Sequence, residues 1–166
     1  MSRAARLAVL ALPLAGLAGL WGWSDYLSRQ GTDWEVAIMG YDPRDMLRGH
    51  YVEFRYDWPG VEEDDFVRPL TGLCLSGTAP TITRAERAEG AALATCAHPV
   101  RANPDGVYGT ESLRQGRLYV GQERAGGLEK ALRDPGQRAL VRFRLRADGT
   151  LTPLDIVLRP EQAAAE

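Results

Sequence analysis

The sequence predicts a mainly β domain, an antiparallel barrel or sandwich-like fold, behind one N-terminal transmembrane helix and with one short helix in its C-terminal half. Three observations predict this. A single long uncharged apolar run lies beside the N-terminus. The remainder is broken into short segments by 18 glycines and 10 prolines, most of them beyond that run. Several of those segments alternate apolar and polar residues with period two, the pattern of a half-buried strand. A length of 166 residues suits one domain plus an appendage. The division is 1–30 for anchor and linker and 31–166 for the domain.

The N-terminal segment opens with Arg3 and Arg6 and no acid. Leu7 to Trp23, LAVLALPLAGLAGLWGW, then carries no charge, and Asp25 closes the run. A bilayer core needs about 20 apolar residues in a helix, with roughly 17 as the short limit. Pro13, Gly16, Gly19 and Gly22 are tolerated in such helices. Two readings stay open. A cleaved signal peptide fits the basic start and the small residues Gly16-Leu17-Ala18. A retained anchor fits the length better and places Trp21, Trp23 and Tyr26 at the membrane interface. A buried core helix fits worst, because it would show polar positions at helical spacing. With Arg3 and Arg6 inside, everything after Ser24 is expected on the extracytoplasmic, periplasmic side of the inner membrane.

Beyond the linker, Trp34 to Met39 (WEVAIM) reads as a short strand. Tyr41 to Gly49 reads as a turn, with Pro43 presetting φ and Asp42 accepting a backbone N–H. Tyr51 to Trp58 (YVEFRYDW) alternates, so Val52, Phe54, Tyr56 and Trp58 face the core. Pro59-Gly60 ends it. Glu62 to Asp65 (EEDD) reads as a solvated acidic loop, with calcium ligation unsupported by spacing. Leu70 to Leu75 and Ala91 to Cys96 read as strands, with Ile82 to Glu89 a polar turn or hairpin rim between them. Asn103-Pro104-Asp105-Gly106 is a turn, and Arg117 to Val120 a short strand. A helix is expected from about Ala125 to Arg133, stopped by Pro135-Gly136. Gln137 to Leu145 alternates cleanly, with Ala139, Val141, Phe143 and Leu145 inward. Asp148-Gly149 turns it into a last strand, Leu151 to Leu158. The tail EQAAAE packs against nothing in this reading.

Asp42 to Tyr56, DPRDMLRGHYVEFRY, resembles the GDYXXLXY protein family, whose motif usually follows a DPRDLLRG-like turn. Gly49, Tyr51 and Tyr56 match the motif; His50 replaces its aspartate and Phe54 its leucine. Tyr108 to Ser112 and Leu118-Tyr119-Val120 resemble a second block, where Gly121 stands in place of proline. Leu128-Glu129 and the final hairpin also fit. The resemblance implies one N-terminal membrane segment, an extracytoplasmic β-rich domain and no established activity. It also implies company with multi-pass membrane proteins.

The candidate site residues follow from that stretch: Asp42, Pro43, Arg44, Asp45, Arg48, Gly49, His50, Tyr51 and Tyr56. The mixed charges favour mutual pairing and turn capping, with a rigid docking surface as the functional reading. A pocket around His50, Tyr51 and Tyr56, for a small ligand or a hydrolytic reaction, is the alternative. Catalytic residues are not expected, because no nucleophile motif appears. Ser76 and Ser112 lack a nucleophile context, and Lys130, the one lysine, lies on the expected C-terminal-half helix. Metal is not expected either, although Cys96-x-His98 could ligate with His50 or Cys74 nearby. For Cys74 and Cys96 a disulfide is favoured in an oxidising compartment, with two separate buried thiols as the other reading. Hydrophobic content of 45% and a net charge of −2 exclude a multi-pass protein and give no basis for nucleic-acid binding. No cofactor is implied. The expected partners are the membrane, through residues 7–23, and another integral membrane protein.

Overall fold

The computed structural model describes residues 3–39, 51–121, 123–124, 128 and 136–160, with side chains from residue 11 onward. The chain divides into two units, Met1–Gly31 and Thr32–Glu166.

The first unit is helix α1, Arg3–Ser28, with Pro13 inside it. A helix of 26 residues is about 39 Å long. Leu12, Leu14, Leu17, Leu20, Trp21 and Trp23 are all well exposed, by 62% or more. Ser28 Oγ and the Arg29 guanidinium both bond back to Asp25 at the helix end. Among the described residues no helix is long and apolar enough to cross a membrane. The uncharged run from Leu7 begins in the part of α1 whose side chains lie outside the description.

The second unit is mainly β. Its described residues form one curled eight-stranded sheet: β1 (Thr32–Met39), β2 (Tyr51–Asp57), β3 (Gly72–Thr78), β4 (Thr81–Arg87), β5 (Pro99–Arg101), β6 (Gln115–Tyr119), β7 (Gln137–Leu145) and β8 (Leu151–Pro160). Every pairing is antiparallel except that of β1 with β4. β1 organises the sheet. One edge pairs with β7 from Thr32 to Ala37. The other edge is shared: Glu35 meets Thr81 of β4, and Ala37 to Met39 meet β2. The sheet therefore branches at β1, with β4-β3-β5 leaving on one arm and β2-β6 on the other.

The core lies on the concave side of this curl. Trp34, Val36, Val52, Phe54, Trp58, Leu73, Leu75, Val141 and Phe143 are each at most 2% exposed. Trp58 sits at its centre. Its Nε1–H donates to the Leu113 carbonyl at 2.6 Å, and its ring packs on Tyr56 and Phe143. A buried indole needs such a partner, or it loses its hydration without compensation.

β2 and β7 follow their alternation: Val52, Phe54, Tyr56 and Trp58 are buried on one side, and Val141, Phe143 and Leu145 on the other. Two elements differ from the sequence reading. Ala91 to Cys96 is not a strand; Gly90–Ala94 forms a short helix, α2, with Leu93 as its buried residue. Its three alanines are strong helix formers. Ile82 to Glu89 is not a hairpin rim; Thr81–Arg87 is strand β4, antiparallel to β3. Only Ala85 of that strand is buried, so the apolar alternation that marks strands is missing. The β3–β4 register shifts at Ser76-Gly77, a β-bulge. Gly77 has φ +139, and a Cβ there would lie 2.4 Å from the Thr81 carbonyl oxygen. The acidic Glu63–Val67 segment is a 3-10 turn, and Glu63 pairs with Arg114. Of the helix expected from about Ala125 to Arg133, Leu128 is helical and the rest falls outside the described residues; Glu123 and Arg124, just before it, are helical too.

Candidate functional site

Strand alternation divides the motif strand between two jobs. Val52, Phe54 and Tyr56 turn into the core, while Tyr51, Glu53, Arg55 and Asp57 remain half-buried on the outer face. β6 runs antiparallel beside it, placing Tyr119 opposite Tyr51 and Arg117 opposite Glu53. Cross-strand partners share a face, so these four side chains meet.

They form one network. Arg117 Nη2 donates to Glu53 Oε1 at 2.5 Å, and the Tyr108 hydroxyl donates to the same oxygen at 2.7 Å. The Arg117 guanidinium lies over the Tyr51 ring, 4.1 Å from its centroid. The Tyr51 and Tyr119 rings meet edge to face at 6.0 Å. Each contact supports the next: the ion pair fixes Arg117, and the fixed guanidinium holds the Tyr51 ring through cation–π attraction.

The electrostatics follow the geometry. The bonds from Arg117 and then Tyr108 hold the Glu53 carboxyl below its ordinary range, against the opposing pull of burial. The Tyr108 hydroxyl is pushed up to about 12, first by burial and then by the bond it donates to Glu53. Its folded value exceeds the ordinary 10.0. Its stabilising contribution is therefore complete below pH 10 and is lost as pH rises through about 12. Tyr108→Phe is expected to flatten that alkaline loss, leaving the part due to Tyr56, whose hydroxyl burial also raises. Denaturant midpoints measured across that pH range check this; unchanged alkaline slopes would refute it.

The other sequence candidates fare differently. Asp42, Pro43, Arg44, Asp45, Arg48, Gly49 and His50 lie outside the described residues. Tyr51 and Tyr56 are not brought together. Tyr51 is on the outer face, and Tyr56 is 4% exposed in the core, between Phe54 and Trp58. Their odd spacing on one strand imposes this, so they cannot line one pocket. Cys74 and Cys96 are joined by a disulfide, Cα atoms 5.8 Å apart. That bond consumes the thiol of the Cys96-x-His98 pair, and the His98 ring packs on Trp34 at 5.0 Å. Ser112 Oγ accepts the Asn103 N–H at 2.7 Å, a turn contact. Lys130 lies outside the described residues.

A family model described as GDYXXLXY protein matches residues 13–156, most of the chain. The chain belongs to the GDYXXLXY protein family. No curated protein and no solved structure matches it. Within the GDYXXLXY motif, Tyr51 supplies the outward aromatic, and Phe54 and Tyr56 supply core. The described part of the motif, Tyr51 to Tyr56, is thus a strand that turns Tyr51 outward and Phe54 and Tyr56 inward. The Glu53–Arg117–Tyr108 network was not legible as a unit. Tyr108 and Tyr119 stand in the second block of the GDYXXLXY resemblance, but only the β2–β6 register aligns Arg117 with Glu53, 64 residues away.

Proposed function

We propose that this chain is a membrane-anchored, extracytoplasmic assembly partner of another integral membrane protein, docking through the outer face of β2 and β6. The observation that carries this reading is the Tyr51–Arg117–Tyr108 network with Tyr119 beside it, 70% exposed. Tyrosine and arginine dominate the energetics of protein interfaces, and here they are held rigid on a sheet before any partner arrives. The acid at their centre fixes the arginine and leaves the Tyr119 ring exposed. Support for the anchor is separate. The run Leu7–Trp23 is uncharged, α1 is 26 residues long, and its leucines and tryptophans are exposed. Exposed apolar surface of that extent calls for lipid or another protein. Trp21, Trp23 and Tyr26 suit a membrane interface.

Tyr119 is the residue to test, because its exposure leaves the fold little dependent on it. Tyr119→Ala is expected to abolish recovery of a specific partner when the full chain is purified from native membranes and analysed by mass spectrometry. A loss of about 2 kcal/mol, roughly 30-fold in affinity, is typical for such an anchor. Recovery of the same partner in equal yield from wild type and variant would overturn the docking reading.

A further inference from the structure

The branching of the sheet leaves a second feature, beside β1. Where β4 and β2 part from the shared edge of β1, they bound a cleft of ≈ 480 Å³. Leu140 and Ile82 line it with apolar surface, and Glu35, Asp57, Arg138 and Arg159 supply its charges. Glu35 is nearly enclosed, its side chain 9% exposed, and each of its carboxylate oxygens already has a partner. One oxygen accepts from Arg159 at 2.7 Å and the other from Arg142 at 3.3 Å.

The arginines at the rim are placed unusually. Arg138 and Arg159 are direct cross-strand partners in the β7–β8 ladder. Like charges directly opposite one another destabilise a sheet. Arg159 is answered by Glu35, but among the described residues Arg138 has only Asp57, at 3.7 Å, beyond hydrogen-bonding distance. Both arginines stay more than half exposed, at 59% and 55% of their side chains. With Arg142 behind, three guanidinium groups face two carboxylates among the described residues, an excess of one positive charge. An oxyanion between the rim arginines would relieve their repulsion and accept charge-assisted hydrogen bonds from both.

We propose that this cleft binds a small amphiphilic oxyanion, its charged head between Arg138 and Arg159 and its apolar body on Leu140 and Ile82. The same chemistry is offered by a free organic phosphate and by a lipid phosphate headgroup. The site stands independently of the docking face on β2 and β6. The test uses the full chain in phosphatidylcholine nanodiscs, titrated with phenyl phosphate and followed through the methyl resonances of Ile82 and Ala37. Saturable shifts are expected, with weaker binding of inorganic phosphate, which lacks the apolar body. Arg138→Gln is expected to weaken phenyl phosphate binding about tenfold or more, the worth of one charged hydrogen bond. Asp57→Asn removes the competing carboxylate and is expected to tighten binding about threefold. The two variants move affinity in opposite directions, which a folding defect would not do. In phosphatidylglycerol nanodiscs, shifts present before any titrant is added, and lost in Arg138→Gln, assign the anion to the lipid; their absence assigns it to a free molecule. No saturable shift in either disc, unchanged affinity in Arg138→Gln, or weakened binding in Asp57→Asn overturns the proposal.

Discussion

Gly116→Ala is expected to destabilise the β domain by about 3 kcal/mol, at the upper end of the cost of overpacking a core. Gly116 lies on β6 directly opposite Phe54 of the motif strand. A Cβ there would stand 2.4 Å from Phe54 Cε2, and 2.7 Å from both Phe54 Cζ and the Tyr56 hydroxyl. Neither ring has room to retreat. Phe54 and Tyr56 are 2% and 4% exposed and meet edge to face at 5.2 Å. Tyr56 in turn leans on Trp58, whose indole is tied to Leu113. The strain would spread along this aromatic row rather than relax locally.

The GDYXXLXY motif suggests the rescue. It carries leucine where this chain has Phe54, and a leucine does not reach across to the β6 backbone as a phenyl ring does. Phe54→Leu combined with Gly116→Ala is expected to recover much of the loss, giving a favourable coupling in a double-mutant cycle. Urea denaturation of the four proteins measures it. Additive losses would mean that the ring of Phe54 is not what confines position 116.

The second large effect concerns the disulfide. Replacing both Cys74 and Cys96 by serine is expected to cost about 3 kcal/mol, because the bond closes a 22-residue loop and removes that entropy from the unfolded chain. This is a substantial share of the roughly 5–15 kcal/mol by which domains are stable. Cys74 is only partly buried, between the fully buried Leu73 and Leu75, so the substitution leaves the apolar face of β3 intact. The loss should therefore appear in the denaturation midpoint without a change in the native far-ultraviolet spectrum. Each single serine variant should lose as much as the double. A double variant within 0.5 kcal/mol of wild type, the usual scatter for surface substitutions, would show that the loop gains nothing from closure.

How much of this could be read beforehand depended on whether a strand buries one face. β2 buries every second residue, and β7 does so from Val141 onward with Ala139 only partly buried, so their alternation gave position and most of the facing. β4 buries only Ala85; Ile82 is partly buried and the other positions are exposed, along a polar arm of the sheet. Its β-branched Thr81, Ile82 and Thr83 suit a strand, but the charged remainder suits a turn as well. The segment Ala91 to Cys96 failed for the opposite reason: a short apolar run fits either a strand or a helix, and its alanines decided for helix. At the site, Tyr51 and Tyr56 were legible as notable residues but not as neighbours or strangers until their strand was known. Glu53 and Arg117 became partners only through register, which no local pattern of either strand specifies.

The sharing of β1 has a consequence for the order in which the domain assembles. Asp33 and Arg144, bonded across β1 and β7, are 111 residues apart in the chain. The hairpin of β3 and β4 can pair during synthesis, since its strands are adjacent in sequence. β1, which joins both arms, cannot complete its own pairing until β7 is available. Through most of translation Trp34 and Val36 therefore have no covering strand on that edge, and a nascent chain with such an open apolar edge is a client for chaperones. Closure is late and long-range, which places this small domain among the slow folders of its size.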